Sequence, residues 1–322
     1  NTLGKLWLTF RPDSKLKEHM PYYIEAPEDN APAPLPEGIK GVTDITFLDP
    51  CLGSGHVLVY AFELFSRFDE AEGYNTSEIP ALILQHNLFG IDIDERAAQL
   101  AAFALTMKAR GYYTRYLRKP VQPRVIAVEN INPKIIEQAV KIPLAVGGKF
   151  IYDHKDLTIY NLTQADNLGS LIQIDAEELK AVKIQKGSIW QDLEIKMLQQ
   201  GEYLSQQYHC VVTNPPYMGS GGMNNVLKKL LEKSYKLSKA DTMTGFMERA
   251  GTFCYPNGYW GMINLPSWIS LSTFEDFRKY LINNNKFDSF LQLGRGIFGS
   301  DFGSVAFTMQ NRISLVHERG IY

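Results

Sequence analysis

The sequence predicts an α/β fold, a parallel sheet with helices on both faces. Three observations predict it. Strand-like apolar segments alternate with helix-length amphipathic ones. The first such strand runs into a glycine turn, Gly53-Ser54-Gly55, where the backbone can reverse tightly. A later one ends in Asn214-Pro215-Pro216-Tyr217, where two imino acids stop the strand. A chain of 322 residues that is 45% hydrophobic can bury a real core, and its length suits one large α/β unit with an insertion.

Residues 1–20 place Leu3, Leu6, Trp7 and Phe10 at helical spacing, so they are expected to be the tail of a helix whose start has been cut away. The proline-rich stretch 26–38 can be neither helix nor central strand and reads as a connector. Residues 1–40 thus form a helix remnant and connector, and 41–322 the main domain. Within it, 45–49 reads as a buried strand, 56–68 as a helix on the sheet and 87–94 as the next strand. Asp94 suits the N-cap of the following helix, whose apolar face is expected at Ala97, Leu100, Ala101, Ala104 and Leu105. Residues 124–130 form a third strand. A polar insertion spans about 133–207 and holds a helix near 190–204. The rhythm resumes with a strand from 209, another at 258–264, a helix at 272–284, and strands near 287–293 and 304–309. Trp260 and Trp268 are expected in the core.

A net charge of −2 carries no global signal for nucleic acid, so a DNA-binding face is expected either to be local or to lie in chain outside this sequence. Cys51, Cys210 and Cys254 lack metal or redox spacing and read as reduced, buried residues of a cytoplasmic protein. No apolar run reaches the roughly 18 residues of a membrane span, so no membrane contact is expected. His56 beside the glycine turn has no partner at ligand spacing, and no metal is expected.

The chemistry concentrates in two places. Asp49 ends the first strand just before the glycine turn, and Asp92 ends the next strand, where a carboxylate can accept both hydroxyls of a ribose. Gly55 and Asp92 stand 37 residues apart, against about 20 in a dinucleotide fold, and Leu58 occupies the position of that pattern's third glycine. The expectation is a nucleoside-bearing cofactor other than NAD. At the other place, Asn214 and Pro215 offer two carbonyl acceptors on a rigid tip. Aimed at one planar NH₂ group, they return lone-pair density to its nitrogen, which can then attack an electrophilic methyl group. Tyr217 supplies a face for a planar substrate.

The segments DPCLGSGH (49–56), GIDID (90–94) and NPPY (214–217), in this order, resemble amino-methyltransferases that use S-adenosylmethionine. The longer context of NTLGKLW, NPPYMGSGGMN and GMINLPSWISLSTFEDFRKYL is similar to the PglX-type adenine-specific DNA methyltransferases of BREX phage-defence systems, over nearly the whole chain. The resemblance implies a Rossmann-like fold with a seven-stranded, mostly parallel sheet whose last strand is antiparallel. It implies methyl transfer from S-adenosylmethionine to the exocyclic amine of an adenine flipped out of double-stranded DNA, in concert with other defence-system proteins. Asp49, Pro50, Gly53, Ser54, Gly55, His56, Asp92, Ile93, Asp166 and Asn214 would hold the cofactor, Asp92 at the ribose and Asp166 at the adenine amine, with Glu129 a competing acid. Asn214, Pro215, Pro216 and Tyr217 would form the target site, and Phe298, with Phe302 as runner-up, would clamp the base from its other face. Two features of the pattern are missing, a Thr-Pro motif before the first helix and a target-recognition region after the last strand, so the chain reads as a catalytic core cut from a longer protein. The same motif chemistry would also serve a protein glutamine or an RNA base, and a scaffold with little catalysis is the rival from another class.

Three further stretches have two readings each. The basic, tyrosine-rich stretch 110–124 could track phosphates or end a helix with a solvated face, and the lysine-rich stretch 228–239 could touch DNA or form a surface helix. The glycines of 218–222 permit a mobile loop or an exposed turn.

Overall fold

A computed structural model of the chain describes residues 1–25, 27, 32–294, 296, 303–315 and 317–322. Seven strands build the main sheet: β1 (Phe47–Asp49), β2 (Leu88–Asp92), β3 (Arg124–Ala127), β6 (Tyr208–Thr213), β7 (Cys254–Asn264), β8 (Lys286–Gln292) and β9 (Val305–Gln310). Their order is β3-β2-β1-β6-β7-β9-β8, and β4 (Leu144–Val146) and β5 (Lys149–Ile151) form a separate hairpin within the insertion. Pairs from β3 through to β7 are parallel, and β9 runs antiparallel to both its neighbours. This is the sheet that the resemblance implies.

Side chains of successive strand residues point to opposite faces, and each face has its own core. Leu48, Phe89, Ile91, Val211 and Trp260 belong to one, and Phe47, Leu88, Cys210 and Tyr259 to the other. The second core is closed by α1 (Thr2–Phe10), α2 (His56–Ala71) and α3 (Glu95–Tyr112). In it the Trp7 ring stacks on Phe68 with centroids 4.2 Å apart. The first core is closed by α4 (Pro133–Ala139), α5 (Gln191–Ser205), α6 (Asn225–Ser234), α7 (Thr242–Phe253) and α8 (Glu275–Asn284). Arg249 of α7 is buried, and its guanidinium donates to the carbonyls of Ser170, Ile172 and Leu204 at 2.9, 2.7 and 2.6 Å, which sews the insertion onto the domain. Trp260 and Trp268 are buried, and all three cysteines are free.

One helix face differs from expectation. α3 buries Ala98, Ala101, Leu105 and Ala109, while Leu100 is 53% exposed beside Phe103 and Met107. The reason is a close approach: a Cβ on Gly55 would stand 2.8 Å from that of Ala101. Alanine fits that contact and leucine does not, so packing distance overrides hydrophobicity in choosing the face. Asp94 caps α3 as expected, its side chain accepting from the Arg96 amide at 2.8 Å.

Candidate active site at the ends of β1, β2 and β6

From β1 the chain passes to β2 on one side and returns to β6 on the other. Neighbouring connections leave in opposite directions there, and the crevice between them is where open α/β sheets bind ligands. Asp49 and Asn214 stand at the two strand tips that flank it.

The turn after β1 is held from inside. Asp49 is 1% exposed, and its Oδ1 accepts from the Thr213 hydroxyl at 2.7 Å and the Cys51 amide at 3.2 Å. Burial pushes its carboxyl up to about 7, the nearby Asp92 adds to this, and the two hydrogen bonds oppose it. Asp92 Oδ1 accepts from the amides of Ile93 and Asp94 at 2.8 and 2.9 Å, and its Oδ2 from that of Gly53 at 2.7 Å. Both lone pairs of Oδ1 are thus engaged, and Oδ2 retains one for a further donor. Gly53, at φ +53°, has no atom within 4 Å of where a Cβ would stand, so the floor of the turn is open. Gly55, at φ +83°, forms the N-cap of α2. Ser54 is half-buried and His56 exposed. No metal-holding group is found among the described residues.

The insertion supplies the adjoining wall. Ser170 donates its hydroxyl to the Pro50 carbonyl at 2.5 Å, and Gly169 lies against the exposed Ile93. This carries Asp166 to the same edge as the turn. Asp166 is exposed, and its carboxylate accepts from the Asn167 amide group at 2.6 Å. Asn167 in turn accepts from Asn224, the N-cap of α6, at 2.8 Å. The competing acid, Glu129, is paired with Lys196 of α5 at 2.5 Å.

The tip of β6 is open and held from outside. Asn214 is exposed, Pro215 buried, and Tyr217 41% exposed. The Tyr217 hydroxyl donates to Asn214 Oδ1 at 2.9 Å and lies 3.3 Å from the Ile263 carbonyl oxygen. The Pro215 carbonyl accepts no hydrogen bond among the described residues. The loop beyond it is clamped by the segment that leads into α7. Thr242 donates its hydroxyl to the Pro216 carbonyl at 2.7 Å and its amide to that of Met218 at 3.0 Å. Ser220 donates its amide to the Ala240 carbonyl at 3.0 Å. The glycine stretch is thus an anchored turn. A cavity of about 350 Å³ opens beside Asn214, between α1 and the ends of β6, β7 and β9, with Val212, Thr213, Met262 and Phe307 in its walls. Phe298 and Phe302 lie outside the described residues.

Thr213, Ser170, Asp241 and Thr242 do this positioning and were not singled out in the sequence. Thr213 had one signal, a polar side chain at a buried strand position beside Asn214. Asp241 had another, an aspartate before a helix, and it caps α7 through the Met243 amide at 2.9 Å. The basic stretch 110–124 lies elsewhere. α3 starts at the carboxyl end of β2 and runs 18 residues away from it, roughly 27 Å. Arg124 then pairs with Phe89 near the start of β2, so this stretch lies at the opposite end of the sheet.

The model of the Eco57I restriction-modification methylase family matches residues 86–298. The chain is 35% identical to an adenine-specific methyltransferase, BrxX, of Escherichia coli O9:H4 (strain HS), over 96% of this chain and 29% of the relative. It is 32% identical to an adenine-specific methyltransferase, PglX, of Lacticaseibacillus casei (strain Zhang), over 87% of this chain and 25% of that relative. The chain therefore spans less than a third of the length of either. Among solved structures, the ATP-dependent Type ISP restriction-modification enzyme LlaBIII bound to DNA shares the fold, with a TM-score of 0.51 at 15% identity, covering 86% of this chain and 17% of that one.

Proposed function

Because the chain belongs to the Eco57I restriction-modification methylase family, we propose that it is the methyl-transferring core of a DNA methyltransferase acting on the exocyclic amine of adenine in phage defence. The observation that carries this reading is the pairing of two strand tips across one crevice. Thr213, the residue before Asn214, is bonded to Asp49, the last residue of β1, from which the chain runs into the glycine turn. A group gripped at Asn214 and one bound along Asp49 to Asp92 are thereby held against each other. The names of the two relatives support adenine as the target.

The residues present fit S-adenosylmethionine. The open turn at Gly53 leaves room for its backbone-sized approach. Asp49 offers a buried carboxyl to a cationic ligand, Asp92 the remaining lone pair of Oδ2 to a ribose hydroxyl, and Ile93 an apolar face to a base. Asp166, exposed at the far end, would accept from an adenine amine. When bound, the cofactor supplies an electrophilic methyl group on a positively charged sulfur.

The chain does the rest by orientation and electrostatics. Asn214 Oδ1 and the Pro215 carbonyl accept the two hydrogens of the target amine and draw its nitrogen toward tetrahedral geometry. To do so, the amine takes the place at Asn214 that the Tyr217 hydroxyl holds here. The Tyr217 ring then stacks on the base, which has left the duplex because its amine is otherwise paired; extrusion costs a few kcal/mol. The nitrogen becomes cationic on gaining the methyl, and it sheds its proton readily without a dedicated base.

Transfer of tritium from labelled cofactor to DNA, RNA and protein tests the reading. Label in DNA at adenine is expected. Replacing Asn214 by Ala should lower it by about a hundred- to a thousandfold, far more than it weakens cofactor binding. Label confined to protein or RNA overturns the proposal.

A further inference from the structure

We propose that α6 and the turn after it form the surface that grips the DNA backbone beside the extruded base, through Lys229, Lys233, Lys236 and Lys239; this rests on the DNA reading above.

Residues 228–239 carry five lysines and one glutamate in a chain whose net charge is −2. α6 buries Leu227, Leu230 and Leu231 and turns Lys229 and Lys233 to solvent, with Lys236 and Lys239 exposed on the turn that follows. None of these lysines makes an ion pair among the described residues; others, such as Lys15, Lys119 and Lys134, are likewise unpaired, so it is the clustering on one element that marks the set. An unpaired cluster of one sign repels itself, and a polyanion relieves that cost.

Placement gives the cluster its partner. At its start α6 is tied through Asn224 and Asn167 to Asp166, on the cofactor side of the crevice. At its end, Tyr235 donates its hydroxyl to the Leu171 carbonyl at 2.6 Å, and Ala240, next to Lys239, accepts from Ser220 of the Asn214 loop. The lysines therefore lie on the segment that links the Asp166 edge to the loop after β6. The arginines of 110–124 share the charge and lie at the far end of the sheet.

The test is binding of a labelled DNA duplex by the chain, followed by fluorescence anisotropy between about 50 and 200 mM salt. A lysine engaged on phosphate adds about 0.9 to the slope of log affinity against log salt. The set K229E/K233E/K236E/K239E should lower that slope by up to about 3.6 and weaken binding at low salt at least about tenfold. The neutral set K229Q/K233Q/K236Q/K239Q should lower it equally with an unchanged melting temperature, which separates lost contacts from lost folding. The control R110E/R115E/R118E/K119E should leave both unchanged. No binding at low salt, an unaltered slope in the lysine sets, or a larger effect in the arginine set overturns the proposal. Failure of the DNA reading itself would show separately, as labelled protein or RNA with no labelled DNA in the transfer assay.

Discussion

The loops that leave β1 and β6 stand side by side at one end of the sheet and are held in opposite ways. The first is fixed from within: Asp49 and Asp92 take backbone amides, and Gly55 lets α2 touch α3. The second is exposed and fixed from without by residues 240–242, and its Tyr217 hydroxyl occupies Asn214 Oδ1. On the proposed reading, the first loop would keep its shape around a cofactor of constant structure, and the second would exchange its hydrogen bond for one to the substrate. Rigidity would then sit where the ligand never varies, and an exchangeable contact where the target arrives and leaves.

Four outcomes would break or sharpen that contrast. The largest effect is expected at the rigid loop. Gly55→Ala puts a Cβ at positive φ and into Ala101, at a cost of about 2–5 kcal/mol, read as a fall in melting temperature and loss of cofactor binding. Gly221→Ala, in the second loop, meets no atom within 4 Å and has no positive φ, so its melting temperature should stay unchanged. Equal losses at both positions would erase the distinction. Next, Tyr217→Ala should weaken DNA use by about 1–3 kcal/mol of lost stacking, roughly five- to a hundred-and-fiftyfold in kcat/KM for DNA, with cofactor affinity unaltered.

A smaller effect is expected in the pH dependence of cofactor affinity. Burial raises the Asp49 carboxyl from its ordinary range to about 7, so below that pH the free protein holds it neutral. A cationic ligand favours the ionised form, and binding in acid must expel a proton. Affinity should fall by up to about tenfold per pH unit below 7 and level off above it; Asp49→Asn should flatten the curve. By the same linkage, the neutral buried carboxyl supports the free fold at low pH, and that support fades as pH rises through about 7. The smallest effect is expected for Tyr217→Phe. The ring remains and the competing hydroxyl is gone, so the KM for DNA should hold or fall within about threefold. A large rise in KM would show that the hydroxyl serves the bound state and not only the free one.

Much of this was legible in the residues, and the reason is local. A parallel strand buried on both faces needs an apolar run, a strand-to-helix turn at positive φ needs glycine, and a Pro-Pro pair ends a ladder; each requirement is met within a few neighbours. Asp49, Gly55, Asp92 and Asn214 were singled out by such local rules, and the fold brings them to one end of the sheet. The bond from Thr213 to Asp49 spans 164 positions, and that from Ser170 to Pro50 spans 120. Neither has a spacing rule, because their geometry exists only once the sheet has ordered its strands. Leu100 shows the same limit on a helix: periodicity places it on an apolar face, and the contact between Gly55 and Ala101 turns that face aside. Of the two lysine- and arginine-rich stretches, sequence gives charge to both. Only the fold puts one beside the crevice and the other at the far end of the sheet, since direction along a strand is a property of the assembled sheet and not of the segment.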